Sequence, residues 1–163
     1  MPSYTTLAPA SHRASAAARG SSKKKNTACE IVLRKALTAL GLRYRIDAAD
    51  LSGRPDIVFR TARVAVYCDG DFWHGRNLEK RLAKLSTGHN APYWVAKIQG
   101  NVGRDARNTT ALEVAGWLIL RYWETDIHTS APEIAAAIAA IVGQRTRAIG
   151  PTRRGRRKVG RSA

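Results

Sequence analysis

Asp56, Asp69, Asp71 and His74 fall within one short stretch, RPDIVFRTARVAVYCDGDFWHG, which runs from Arg54 to Gly75. Carboxylates beside an imidazole are the side chains that hydrolytic metal sites use. A hard divalent cation takes oxygen ligands, and a neutral imidazole can accept a proton from an attacking water. Metal-assisted hydrolysis is the chemistry this stretch favours. Taken alone, Asp56 could equally end a turn and His74 could equally be a surface residue.

Two apolar runs must position these groups. Pro55–Phe59 and Val64–Cys68 read as short strands joined by a polar turn, and an antiparallel pairing would carry Asp56 and His74 to one end of a sheet. Upstream, Thr27 can cap a helix and Glu30 stands three residues on as its capping-box partner. Ile31, Leu33, Leu37 and Leu40 supply the apolar positions of that helix before Gly41 stops it. Leu42–Ile46 reads as a further strand, followed by a polar turn over Asp47–Gly53.

Downstream, Arg76–Asn90 reads as an irregular surface loop, although Leu78, Leu82 and Leu85 would permit a helical turn. Pro92 suits the first turn of a second helix reaching about Ala115, interrupted by Gly100 and Gly103. Tyr93, Trp94, Ile98, Val102, Leu112 and Val114 give this helix apolar contacts, and Lys97, Asn101, Arg104, Asp105 and Arg107 lie on another face. That face is either plainly solvated, or it meets phosphates and orients an imidazole. Trp117–Trp123, WLILRYW, fits a central strand buried on both faces, and Pro132–Val142 fits a closing helix.

The composition narrows the partner. The chain has 163 residues, with 28 Lys and Arg against 12 Asp and Glu, a formal charge of +16 and a pI near 10.9. Such an excess favours a polyanion, and nucleic acid is the first candidate. Residues 144–163 hold eight of the cations and no acid, so half the excess lies there and the rest of the chain is basic in its own right. Residues 1–26 lack apolar periodicity and read as a flexible basic arm containing Lys23, Lys24 and Lys25. Residues 27–143 form the folded domain, and 144–163 read as a disordered tail. Cys29 and Cys68 lack a paired spacing, which implies reduced thiols. No apolar run reaches the length of a membrane span and no hydrophobic secretion segment is present, so a cytoplasmic protein without a membrane partner is expected.

The segments GRPDIVF, VAVYCDGDFWHG, YWVAKIQGNVGRDARNTTALEVAGW and LILRYWE, in this order and at these separations, resemble the very-short-patch repair (Vsr) mismatch endonucleases. The likeness extends from about Thr27 to Asp126. That family belongs to the PD-(D/E)xK nuclease superfamily, so the resemblance implies an α/β restriction-endonuclease-like fold with a central mixed sheet flanked by helices. It implies Mg²⁺ held by Asp56 and the main-chain carbonyl of Cys68, with His74 activating water and Asp105 holding His74. Glu30 matches an acid near the metal.

Phe72, Trp73 and Trp94 match aromatics that wedge into the DNA stack beside a mismatch, where unstacking costs less than at a paired step. Trp94 could equally anchor its helix in the core. Two departures stand out. Asp69 occupies a position where repair members often have His, near the leaving group, and could bind metal or water. The positions of a structural zinc common in the family are Asp71, Arg76, Leu78 and Thr125, so no structural zinc is expected and packing or carboxylate and Arg contacts must hold the loop.

The function implied is a Mg²⁺-dependent endonuclease that nicks double-stranded DNA at T:G mismatches in very-short-patch repair, alongside mismatch-repair or methyltransferase-associated proteins. One alternative is a nuclease of a restriction or defence system that cuts intact or modified DNA. Another is a DNA-binding module without activity, disfavoured by the presence of Asp56, His74 and Asp105 together.

Overall fold

The computed structural model describes residues 26–71, 74, 76–87 and 91–150, without the side chain of Arg81. Lys23, Lys24, Lys25, Phe72 and Trp73 lie outside the described residues, as do 1–25 and 151–163.

Helix α1 spans Ala28–Ala39, and both halves of its capping box form: Thr27 accepts from the Glu30 N–H and the Glu30 carboxylate accepts from the Thr27 N–H. Cys29, Leu33 and Leu37, four residues apart, make its buried stripe. The helix ends in paired bonds from Gly41 N–H to Thr38 and from Leu42 N–H to Leu37, with Gly41 at φ +74°. This is the Schellman closure, in which glycine takes the left-handed conformation without a Cβ penalty. Because the closure takes the Leu42 N–H, the strand expected over Leu42–Ile46 shrinks to β1, Arg45–Ile46, with both residues exposed.

Strands β2 (Ile57–Phe59) and β3 (Val64–Asp69) form the expected hairpin, with Ile57 opposite Val66 and Phe59 opposite Val64. All of β2 and nearly all of β3 is buried, as befits interior strands covered on both faces. The sheet order is β1-β2-β3-β4, antiparallel except where β3 and β4 (Leu118–Trp123) run parallel. A mixed four-stranded sheet flanked by helices is therefore the architecture. It agrees with a restriction-endonuclease-like fold.

Further differences from the sequence expectations have physical causes. The run WLILRYW gives an edge strand rather than a central one: among the described residues β4 pairs only with β3, and every residue in it is partly exposed. Its apolar side chains cover two helix layers from one edge, which reads in sequence like burial between neighbours. Leu78–Ser86 is a helix, α2, rather than loop, because Leu78, Leu82 and Leu85 share the side that packs on the next helix. Helix α3, Ala91–Val114, passes through Gly100 and Gly103 without a break. Two glycines cost a long helix propensity but do not end it when its apolar face is packed.

The closing helix α4 covers Glu124–Ile149, with a kink at Ser130 (φ −138°, ψ 34°) two residues before Pro132. Proline disfavours helical geometry just upstream, so its effect is a kink with helix on both sides rather than a helix start. Residues 144–149, assigned to the disordered tail by composition, are helical. Arg145 explains part of this: its Nε donates to Ala62 O at 2.9 Å and its Nη2 to Gly116 O at 3.1 Å, clamping two turns.

Alternation divides the sheet. Ile57, Phe59, Val64, Val66, Leu118, Leu120 and Tyr122 face α1 and α4, joining Leu33, Leu37, Ile127, Ala135 and Ile138 in the main core. Tyr67, Asp69, Arg121 and Trp123 share the other face. The chemistry lies on that second face and at its end.

Candidate active site

Asp56 precedes β2 by one residue. Its N–H donates to Val66 O at 3.1 Å, and its Oδ2 accepts from the Cys68 N–H at 2.8 Å. The β2–β3 register thus fixes this carboxylate against the end of β3. Burial pushes its pKa up to about 6, opposed by the Cys68 N–H and reinforced by the charges of Glu30 and Asp69. A buried carboxylate among like charges is a group that a cation stabilises, and a single such acid with main-chain oxygen suits Mg²⁺, which keeps several waters. Among the described residues, no three His, Cys, Asp or Glu side chains gather into a metal cage. Burial also raises the Cys68 thiol, so sulfur is a poor ligand here and only the Cys68 carbonyl suits a hard ion.

His74 follows β3 in the loop before α2, where its N–H donates to Gly70 O at 3.2 Å. Its Nδ1 lies 2.6 Å from Asp105 Oδ2 and 3.6 Å from Asp69 Oδ1. Asp105 reaches it from α3. Burial alone would depress the imidazole pKa, yet the Asp105 hydrogen bond and the Asp69 and Asp105 charges outweigh it, and the net shift is upward. Asp105 is itself held below the usual carboxylate range because its bond and charge interaction with His74, aided by Arg121, overcome burial. An ionised carboxylate only accepts, so Nδ1 carries the proton and Nε2 is the basic nitrogen.

Asp69 is 5% exposed and ion-paired: Arg121 Nη1 donates to its two oxygens at 2.9 and 2.7 Å and lies 3.8 Å from Asp105. Asp69, expected as a group that could bind metal or water, thus stands in the structure as the partner of Arg121. The Arg121 guanidinium also sits 4.3 Å over the ring of Tyr67, its partner across the parallel register. Tyr67 in turn donates to Ser52 O at 2.8 Å, in the turn leading to Asp56. At Gly53 (φ +72°) a Cβ would meet Asn108 Nδ2 at 2.8 Å and the Tyr67 hydroxyl at 2.9 Å, so only glycine lets this turn lie against α3. Arg121 was missed from sequence because it is a single charge inside an apolar run. The available signal, its position opposite Tyr67 and near Asp69, exists only once the register is known.

Glu30 is 7% exposed and committed to its cap: Oε1 accepts from the Thr27 N–H and hydroxyl, and Oε2 from the Asn26 N–H. Its charge reaches the site and raises Asp56.

Three of the four expected zinc positions form a polar clamp. Arg76 binds Asp71 at 3.3 Å and Asp126 at 2.8 Å, and the Thr125 hydroxyl donates to Asp71. Leu78, the fourth, opens α2. The clamp ties the loop after β3 to the start of α4, and Arg76 also lies over the Trp123 ring.

On α3, Tyr93 and Trp94 pack edge to face at 5.1 Å, and the Lys97 ammonium lies 5.5 and 5.4 Å from their ring centres. Trp94 is half-buried, so neither a core anchor nor a free surface ring describes it fully. Arg104 donates to Asn101 Oδ1 at 3.2 Å one turn further along. Among the described residues no helix is long and apolar enough to cross a membrane.

Comparison with known proteins points the same way. The family model described as DNA mismatch endonuclease Vsr matches residues 9–80. The type II nicking enzyme V.NmeDIP of Neisseria meningitidis serogroup C is 45% identical over 107 residues, 66% of this chain and 71% of that protein. The type II nicking enzyme V.HpaIIP of Haemophilus parainfluenzae is 35% identical over 127 residues, 78% of this chain and 89% of that protein. The DNA mismatch endonuclease Vsr of Escherichia coli is 37% identical over 100 residues, 61% of this chain and 62% of that protein.

Proposed function

The chain belongs to the Vsr family and is a DNA endonuclease, and from that premise we propose that it nicks one strand of duplex DNA at a T:G mismatch by Mg²⁺-assisted hydrolysis. The observation that carries the chemistry is Asp56, fixed on the Cys68 N–H, acting through charge with a His74 whose Nδ1 is bound by Asp105. Asp56 and the Cys68 carbonyl would hold Mg²⁺, which supplies charge neutralisation at the phosphate and a more acidic water. His74 Nε2 takes the proton of the attacking water. Asp105 fixes the tautomer and orientation of His74 and stabilises the imidazolium that forms.

The DNA lies along α3, where the aromatic pair of Tyr93 and Trp94 flanks Lys97 and is followed by Asn101 and Arg104. Apolar rings there, together with Phe72 and Trp73, favour a weakened step, because inserting a ring costs roughly a few kcal/mol per step and least where the bases are mispaired. Phosphate contacts from the basic surface add affinity without regard to sequence.

A second reading is favoured by the names of V.NmeDIP and V.HpaIIP, both type II nicking enzymes. In that reading the same centre nicks DNA within a restriction or defence system, with no mismatch required. The two separate in one assay: Mg²⁺-dependent cleavage of end-labelled duplexes that are matched, T:G-mismatched or methylated, run on denaturing and native gels. Nicking of one strand of the T:G duplex at a rate well above the matched duplex is expected. Equal cutting of matched or methylated duplexes would favour the second reading instead.

A further inference from the structure

The hydrolytic centre holds more negative charge than a nuclease can leave uncompensated. Asp56, Asp69, Asp105 and Glu30 act on one another or on His74 through their charges, and a DNA phosphate must approach among them. Like charges repel strongly where water is scarce. Arg121 is the guanidinium that the fold inserts into this group, and its side chain keeps 26% of its surface exposed.

Its hydrogen bonding is lopsided. One nitrogen, Nη1, serves both oxygens of Asp69, whereas an arginine placed only to neutralise a carboxylate ordinarily presents two nitrogens to two oxygens. Among the described residues no hydrogen bond uses its Nε or Nη2. Tyr67 supports the guanidinium plane and Asp69 grips one corner, so the remaining donors are preorganised rather than satisfied.

We propose that Arg121 is a substrate-contacting catalytic residue that donates from its unused nitrogens to a non-bridging oxygen of the scissile phosphate beside His74. Its charge is permanent, so it contributes charge stabilisation in the transition state and no proton transfer. This rests on Asp56, His74 and Asp105 being the hydrolytic centre.

The test is single-turnover nicking by the full chain with Mg²⁺, on a cognate duplex carrying oxygen, or an Rp or Sp phosphorothioate, at the cleaved linkage. The parent protein, Arg121→Met, Arg121→Lys and Asp56→Asn are compared. Arg121→Met is expected to slow nicking of the oxygen substrate by roughly 10²- to 10³-fold, the loss typical of one preorganised donor. Arg121→Lys should recover part of that. For one diastereomer, sulfur should slow the parent but add nothing in Arg121→Met, because the contact it disturbs is already gone. A merely structural role gives sulfur penalties that multiply with the mutation for both diastereomers, and that result would overturn the contact. If Arg121→Met does not fold, the same coupling is read in Arg121→Lys, which keeps the charge beside Asp69. Undiminished nicking by Asp56→Asn overturns the hydrolytic centre itself, whereas an inactive Asp56→Asn beside a fully active Arg121→Met overturns only the Arg121 contact.

Discussion

Asp56→Asn is expected to abolish nicking and to leave the chain folded. The amide oxygen can still accept from the Cys68 N–H at the 2.8 Å position, so the hairpin keeps its link. What is lost is the charge that holds the cation, and with it several kcal/mol of transition-state stabilisation, about 10³-fold or more in rate. Stability should not fall with it. The Asp56 carboxyl binds its proton more tightly in the folded chain than a free carboxyl does, with a pKa pushed up to about 6 by burial and by its acidic neighbours. In the metal-free protein its ionisation therefore erodes stability as pH rises from the ordinary carboxylate range through about 6, and above that the charge is a net cost. Asparagine removes that cost, so the variant should melt no lower than the parent at neutral pH. Thermal unfolding beside a single-turnover nicking assay checks both halves, and parental activity in a folded Asp56→Asn would exclude the site.

The second large effect belongs to the His74 and Asp105 pair. His74→Ala removes the base and should lower the single-turnover rate by roughly 10²- to 10⁴-fold. Asp105→Asn should also slow nicking severely, because an amide need not select the Nδ1–H tautomer or stabilise the imidazolium. Its signature is in the pH profile. His74 in the parent is raised above its ordinary value, so it becomes neutral only at higher pH and the rate climbs on an acid limb displaced upward. Removing the Asp105 charge and bond leaves burial opposed mainly by Asp69, and the limb moves to lower pH even as the maximum rate falls. An unshifted limb in Asp105→Asn would mean that a group other than His74 sets the profile.

What the sequence revealed, and what it hid, follows from the range of the interactions. Thr27, Glu30 and Gly41 announced α1 because caps act over three or four residues, and the β2–β3 hairpin was legible because its partners lie a short turn apart. Family likeness assigned Asp56, His74 and Asp105 to one site, and the structure brings the His74 and Asp105 side chains to 2.6 Å. Arg121 was not readable: its partner Asp69 is 52 residues away, and the pairing depends on a parallel register that no local pattern encodes. Arg145 was hidden likewise, since composition assigns it to a basic tail while its bonds to Ala62 and Gly116 draw it into the fold. The edge position of β4 was misread because an apolar strand facing two helix layers has the composition of one flanked by other strands. Glu30 shows the opposite case: its local capping role was evident, and only the fold shows that its charge also reaches Asp56.

The most direct test of the hydrolytic centre is to follow Mn²⁺, a spectroscopic stand-in for Mg²⁺, by electron paramagnetic resonance in the presence of uncleaved duplex. The parent and His74→Ala should both bind the ion, with His74→Ala unable to nick, while Asp56→Asn should leave it in solution as the free aqua ion. Retention of the same bound signal by a folded Asp56→Asn would contradict the assignment of Asp56 as the residue that holds the catalytic cation.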